Sequence, residues 1–554
     1  MGSGYCSIRR NALRARALVV RATAAAGSGH PGGSFSMAEA MGCLFKHMRY
    51  DPTDPLWEER DRLILSKGHA APGLFSYLAI SGFIKESEME TLRSLGSRLQ
   101  GHPDLKCPGV EFCGGSLGTG LSYSVGVALA LRLDKNPGRV FAVVGDGESN
   151  EGQIWEATMS ASKFGLDNLV VVLDRNYVQQ DSYTEGVMPL DAAVPGPDPV
   201  AARGDRSAWR TADKWRAFGW HTIEVDGHRI EQLDGALHRA LAHRGGPVII
   251  VSRSVKGRGV EHMEDNPQWH GKAPSHQTVP IILRELESQA AVAPSIIAGD
   301  MARLDREVSR CQEAGADFVH LDVMDGAFVP NTTFDHAKIR ELRPITDIPF
   351  DTHLMISEPV RSVRRYAEVG SDIITVHAEA CDASEFGEIL DYLHSNEVGA
   401  GIAVNPATPV PEWLDAFVPK LDQFIVMSVV PGRSGQAYIE ESHQKTQEVA
   451  AYLRDRGFGG VIEADGGVNA SNVAGCFADG ARTFVGGSSM VGQADMGRAI
   501  REMRSLILGA RRLGLLREAH RLGGPELVEK WAALHTVGGK ADSIREMAAE
   551  ASLL

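Results

Sequence analysis

The chain predicts an α/β protein: a doubly wound parallel-sheet domain, then a (β/α)8 TIM barrel, then a short helical tail. Three observations predict this order. Before residue 280, apolar runs of strand length such as VFAVVGDG, NLVVVLDRN and PVIIVSRSVKG alternate with helix-period segments, the pattern of a parallel sheet with helices on both faces. From residue 291 eight short apolar runs follow, VAPSIIA, FVHLDVMD, FDTHLMI, IITVHAE, AGIAVNP, FIVMSVV, GVIEADGG and TFVGGSSM. Each is trailed by a helix-like stretch, and together they fit within roughly 200 residues, the lower end for a (β/α)8 barrel. After residue 506, leucine, alanine and charges surround Gly523-Gly524 and Gly538-Gly539, which predicts two or three short amphipathic helices. The expected division is 1–280, a linker over 281–290, the barrel over 291–505 and the tail over 506–554.

Composition narrows the function. The 554 residues carry 57 basic and 71 acidic side chains, a net charge of −14, which argues against a nonspecific grip on nucleic acid or an anionic membrane. The seven cysteines are scattered without a close CxxC pair, as in a reducing compartment, so a cytoplasmic location is expected. No apolar run approaches the ~18 residues of a membrane span, and arginines break ALRARALVVRATAAA.

In the first half, Asp146 ends one predicted strand and Asn176 ends the next, thirty residues later, as one βαβ unit requires. Both then emerge at the carboxyl edge of the sheet, where open α/β folds bind ligands. A carboxylate, an amide oxygen and the Val178 carbonyl would offer hard ligands to Mg2+, and Gly147 permits close approach of a diphosphate. GDG alone reads as a tight strand–helix turn capped by Asp146.

The surroundings change that reading. GDG with Glu151 and the later DRN resembles the thiamine diphosphate signature, and residues 8–275 resemble transketolase through AGSGHPGG, DRLILSKGHAAPGL, GHPD, GGSLGTGLSYSVG, DKWRAFGW and SVKGRGVEHMEDNPQWHGKAP. The resemblance implies that Asp146, Asn176 and the Val178 carbonyl bind Mg2+. It implies that Gly147 and His69 approach the diphosphate, and that Gly115 and Leu117 meet the cofactor's middle. His30, His102 and His270 would face substrate and reactive carbon, and Glu151 would order the metal loop or a subunit contact. The implied reaction moves a two-carbon ketol unit between sugar phosphates, the cofactor acting as electron sink. In that family a second domain supplies a glutamate to the aminopyrimidine ring. The residues after 275 read as a barrel instead, so a separate pyrimidine-domain subunit, and a homo- or hetero-oligomer, are expected.

In the second half, HLDVMDG places His320 and Asp322 on one face of a strand, THLM adds His353 and EADGG adds Asp465. These N/O ligands converge at the carboxyl-terminal face of a barrel and suit Zn2+, Fe2+, Mn2+ or Co2+. Two aspartates on opposite faces of a sugar carbon could remove and return its proton. Gly466-Gly467 and Gly487-Ser488 suit a phosphate site built from backbone N–H groups. Residues 291–505 resemble ribulose-phosphate 3-epimerase through APSIIAGD, HLDVMDGAFVPN, DTHLMI, ITVHAE, VNPATP, VMSVVPGRSGQ, EADGGVN and GGSSM. The resemblance implies that Asp322 and Asp465 are the acid–base pair, and that both hold the metal with His320 and His353. Ser295, Met324, Met355, Met427 and Gly432 would line the substrate site. One loop departs from the family: VVPGRSGQ stands where an NPGFGGQ-like sequence is usual, with Arg433 and Ser434 in place of phenylalanine and glycine.

The expectation is a bifunctional sugar-phosphate enzyme, an epimerase barrel fused behind the cofactor half of a split transketolase. Two rivals are the same chemistries in a specialised pathway with a modified sugar or acyl donor, and a first half reduced to a non-catalytic scaffold.

Overall fold

The computed structural model describes residues 4–191, 210–535 and 540–551, so Gly538-Gly539 lie outside the described residues. The chain forms two compact units, residues 11–287 with 523–546, and residues 1–10 with 288–522 and 547–554.

The first unit is built on a five-stranded parallel sheet of β1 (Arg62–Leu65), β2 (Val140–Gly145), β3 (Leu169–Arg175), β4 (His221–Asp226) and β5 (Val248–Arg253), in the order β1-β2-β3-β5-β4. Every residue of VFAVVG and LVVVLDR in β2 and β3 is buried. Helices cover both faces, which is why these strands read as continuous apolar runs. The edge strand β4 alternates and has its ends exposed. The loops after β1, β2, β3 and β5 leave the same sheet edge and carry His69, Asp146, Asn176 and Lys256.

The second unit is the barrel. Its strands are β6 (Ala291–Pro294), β7 (Val319–Met324), β8 (Phe350–Met355), β9 (Ile373–His377), β10 (Gly399–Val404), β11 (Gln423–Met427), β12 (Val461–Asp465) and β13 (Thr483–Gly486). All pair in parallel in the order β6-β13-β12-β11-β10-β9-β8-β7, and the Ser295–His320 bridge joins the two ends. Alternation sorts the side chains. Leu321, Val323, Leu354, Ile402, Val426 and Phe484 point outward into the layer beneath the helices, and their strand neighbours point into the barrel. Tyr5 and Cys6 pack against Ala291, Phe318, Ile373 and Val485, so the start of the first helix (Tyr5–Ala26) belongs to this unit.

The stretch expected to be linker forms the helix Val279–Glu287. The barrel's last helix begins at Met496 and runs on past residue 505, burying Ile500, Met503, Ile507, Leu515 and Leu516, so residues 506–522 belong to the barrel unit and not to a separate tail. It breaks at Gly523-Gly524, where Gly524 takes φ +61 ahead of Pro525, a conformation open to glycine. The next segment packs on the first unit: Trp531 is fully buried, Leu534 joins Val19, Val20 and Ile282, and the His535 ring meets His262. No helix among the described residues is long and apolar enough to cross a membrane.

Candidate active sites

In the first unit one cleft of about 520 Å³ opens at the carboxyl edge of the sheet. It is lined by every residue assigned to this half from the sequence: His30, His69, His102, Gly115, Leu117, Asp146, Gly147, Glu151, Asn176, Val178 and His270. That volume suits a cofactor-sized ligand. The DRN triplet explains the local order. Asp174 is buried and accepts from Ser36 Oγ at 2.7 Å, Ser254 Oγ at 2.5 Å and Asn176 Nδ2 at 2.8 Å. Since a carboxylate only accepts, it fixes the Asn176 amide and leaves Oδ1 for the loop, where it receives the Val178 N–H at 3.2 Å. Arg175 is fully buried among Asp146, Glu185 and Asp191, and donates to Asp146 Oδ2 at 2.9 Å. The Gly147 and Tyr177 N–H groups bond the same carboxylate at 2.7 and 2.6 Å.

Two basic residues that line the cleft were missed in the sequence. Lys67 donates to the Gly33 carbonyl at 2.8 Å and pairs with Asp174, and Lys256 donates to the Val178 carbonyl at 2.9 Å. Burial lowers the Lys256 pKa to about 7. His30, His69 and His270 meet with ring centroids 5.2–5.5 Å apart. Burial first, and nearby cations second, lower His30 to about 4 and His270 to about 3, so both are neutral near pH 7. The cleft fits a polar, anionic group. Gln179 Nε2, a donor, and His30 Nδ1 are buried without a protein partner, and a Cβ on Gly115 would meet nothing within 4 Å.

In the barrel, His320 and Asp322 on β7 lie beside Asp351 and His353 on β8, and Asp465 ends β12. His353 Nδ1 is 3.3 Å from both Asp322 Oδ1 and Asp465 Oδ2, and His320 Nε2 is 3.4 and 3.8 Å from the same oxygens. A tetrahedral shell with metal bonds near 2.1 Å separates its ligands by about 3.4 Å, close to these values. The outer partners set the tautomers. His320 Nδ1 faces Asp351 Oδ2 at 2.8 Å; His353 Nε2 faces His377 Nε2 at 2.8 Å, whose Nδ1 faces Glu379 at 3.2 Å. With both rings neutral and N–H donated outward along both chains, two imidazole lone pairs and two carboxylates would converge, the donor set of a divalent cation. Neither inner nitrogen has a well-formed hydrogen bond. Burial alone would lower both histidines, yet the carboxylates outweigh it and raise them.

Asp322 and Asp465 each remain 10% exposed while both histidines are fully covered, so the carboxylates reach the cleft above. Ser295 Oγ donates to Asp322 Oδ2 at 2.5 Å and leaves Oδ1 facing the histidines. Ser295, Met324, Met355, Met427, Gly432, Gly466, Gly467, Gly487 and Ser488 all line that cleft. At Gly467 (φ +67) a Cβ would lie 2.5 Å from the Tyr438 nitrogen, so only glycine fits the close approach of the two loops. Asp351, His377 and Glu463 were missed, although Asp351 and Glu463 sit two residues before His353 and Asp465 on the same strand faces.

Two known families match the chain. Residues 8–194 and 199–315 match the transketolase thiamine diphosphate-binding domain, and residues 291–491 match the ribulose-phosphate 3-epimerase family. The chain is 36% identical over 293 residues to the 6-deoxy-6-sulfo-D-fructose transketolase subunit SqwG of Clostridium sp. (strain MSTE9), covering 52% of this chain and 100% of that subunit. It is 39% identical over 294 residues to human transketolase and 41% over 280 residues to bovine transketolase-like protein 2, about half of this chain in each case. It spans only 44% and 42% of those two proteins. The chain therefore belongs to the transketolase family through its thiamine diphosphate-binding domain, and it carries a ribulose-phosphate 3-epimerase domain in the same polypeptide.

Proposed function

We propose that the chain is a bifunctional enzyme. Its barrel interconverts D-ribulose 5-phosphate and D-xylulose 5-phosphate, and its first half is the cofactor-binding part of a split transketolase. For the barrel the carrying observation is the convergence of Asp322 and Asp465, from non-adjacent strands, on the inner ring nitrogens of His320 and His353 at 3.3–3.8 Å. One carboxylate takes the C3 proton, and the other delivers a proton to the opposite face, inverting the centre. His320, His353 and both aspartates would hold a divalent cation such as Zn2+, Fe2+, Mn2+ or Co2+, which when bound supplies positive charge beside the ketose oxygens. Ser295 orients Asp322.

In the first unit Asp146, Asn176 and the Val178 carbonyl would hold Mg2+, while Lys67 and Lys256 offset diphosphate charge. Thiamine diphosphate, when bound, supplies the electron sink. The neutral His30, His69 and His270 are suited to accept or return protons at substrate hydroxyls. The match to the full length of a transketolase subunit, against less than half of the one-chain enzymes, supports a separate pyrimidine-domain partner in a hetero-oligomer. Exposed Val187 and Met188 support it too, because Asn150 of the cleft bonds the Met188 carbonyl and so places this apolar pair at the rim.

The test is a ketol-transfer assay with and without a pyrimidine-domain polypeptide, run beside an epimerase assay. We expect epimerisation by the purified chain alone and ketol transfer only with the partner. Robust transfer by the single chain would sink the split arrangement. A second reading, a modified sugar in a specialised cytoplasmic pathway, is favoured by the sulfo-sugar named for the Clostridium relative and by the altered 432–435 loop. Failure to bind thiamine diphosphate with Mg2+, even with the partner present, would leave the first half a scaffold.

A further inference from the structure

We propose that Arg433 and Ser434 form a side-chain clamp for the terminal oxyanion of the barrel's substrate, adding a permanent positive charge to the glycine-bearing turns of the cleft. This rests on the epimerase reading of the cleft and goes beyond it, because the family loop has phenylalanine and glycine at these positions.

Three glycine-bearing turns meet on one side of the cleft, 432–435 after β11, Gly466-Gly467 after β12 and Gly487–Ser489 after β13. Ser428 Oγ donates to the Gly466 carbonyl at 2.7 Å, and Ser489 Oγ to the Val468 carbonyl at 2.7 Å, so the turns are fastened to one another. Among the cleft-lining residues Arg433 alone has a basic side chain; the other charged groups are Asp322 and Asp465. The two carboxylates belong to the group that would hold the cation, so Arg433 brings the one basic side chain to the glycine-turn side of the cleft. The guanidinium makes no ion pair among the described residues, and Arg433 is exposed. Its backbone is nevertheless held: Gln436 Nε2 donates to the carbonyls of Val430 at 2.7 Å and Arg433 at 2.9 Å, and Asn331 Nδ2 to that of Gly432 at 2.6 Å. The Ser434 hydroxyl lies 3.2 Å from where a Cβ on Gly487 would sit, against the backbone of the third turn.

A guanidinium matches a tetrahedral oxyanion in fork geometry and stays charged at every working pH. Since Arg433 stands on the turns and not among the carboxylates, it grips substrate and transition state alike and acts on KM.

The experiment compares full-length wild type with Arg433→Gln, Arg433→Lys and Ser434→Ala. It measures KM and kcat for D-ribulose 5-phosphate at low and high ionic strength, and calorimetric binding of inorganic phosphate. Arg433→Gln should raise KM about tenfold, or about 1.4 kcal/mol, with kcat within about threefold. It should also flatten the salt dependence of KM. Arg433→Lys should recover part of the loss, and Ser434→Ala should raise KM about twofold to threefold. An unchanged KM with the salt dependence intact in Arg433→Gln would overturn the clamp. Should wild type show no epimerisation, the epimerase reading fails by itself. Phosphate binding then decides: weaker in Arg433→Gln it upholds the clamp, equal in both it removes it.

Discussion

Replacing Asp465 by asparagine separates the barrel's acid–base chemistry from its architecture. The side chain keeps its shape, so the 3.3 Å approach to His353 Nδ1 and the 3.8 Å approach to His320 Nε2 are preserved in outline. The amide cannot take a proton, and one of four converging cation ligands loses its charge. General acid–base catalysis is worth about 10²–10⁴ in rate. With weaker cation binding added, epimerisation should fall by about 10³ or more, a barrier increase of about 4 kcal/mol. A coupled assay for xylulose 5-phosphate gives the rate, and NMR in D2O gives hydrogen exchange at C3. Asp322 remains, so exchange from one epimer without inversion is the expected residue of activity. Far-UV circular dichroism and thiamine diphosphate binding should match wild type. Epimerisation within tenfold of wild type would refute the two-carboxylate mechanism, and loss of thiamine diphosphate binding in a folded variant would refute independent sites.

Two more outcomes follow from buried side chains. With a folded pKa of about 7 against an ordinary 10.5, Lys256 is largely neutral above pH 7 until an anion binds, so diphosphate binding takes up a proton. Affinity for thiamine diphosphate with Mg2+ should therefore fall as pH rises from about 7 towards 10.5. Calorimetry in buffers of different ionisation enthalpy should show this uptake in wild type and not in Lys256→Met; equal uptake in both would assign the proton elsewhere. Trp531→Ala removes a fully buried ring from the segment packed on the first unit and should cost about 3–5 kcal/mol. Thermal unfolding and hydrogen exchange over the helix Val279–Glu287 should report it, with epimerase activity retained; a melting temperature unchanged within about a degree would mean that this segment contributes nothing.

Much of the architecture could be read because local periodicity and tertiary role coincide. The eight barrel runs are the eight strands, since burial beneath helices on one face and in the barrel on the other makes each apolar. His320, Asp322 and His353 interrupt those runs within their strands and Asp465 ends one, and polar residues stand out against the apolar background. Asp351 and Glu463 interrupt them too, each two residues before a site residue, so alternation pointed at them without saying why a carboxylate should be buried there. Lys67, Arg175 and Lys256 were harder, since basic residues are common and only the fold shows that these three are covered. The 523–546 segment was least legible: an amphipathic stripe announces that a face will be covered but does not name its cover.

That segment bears on how the protein is made. The first unit is interrupted in sequence by the barrel and regains its last packed pieces only when Trp531 and Leu534 have been synthesised. The barrel unit is interrupted too, taking residues 1–10 from before the first unit and 547–554 from after its last segment. More than two hundred residues of barrel thus separate Val19, Val20 and Ile282 from Leu534, which packs against them. Separating the halves at a single cut near residue 287 would therefore leave each without a strip of its own core.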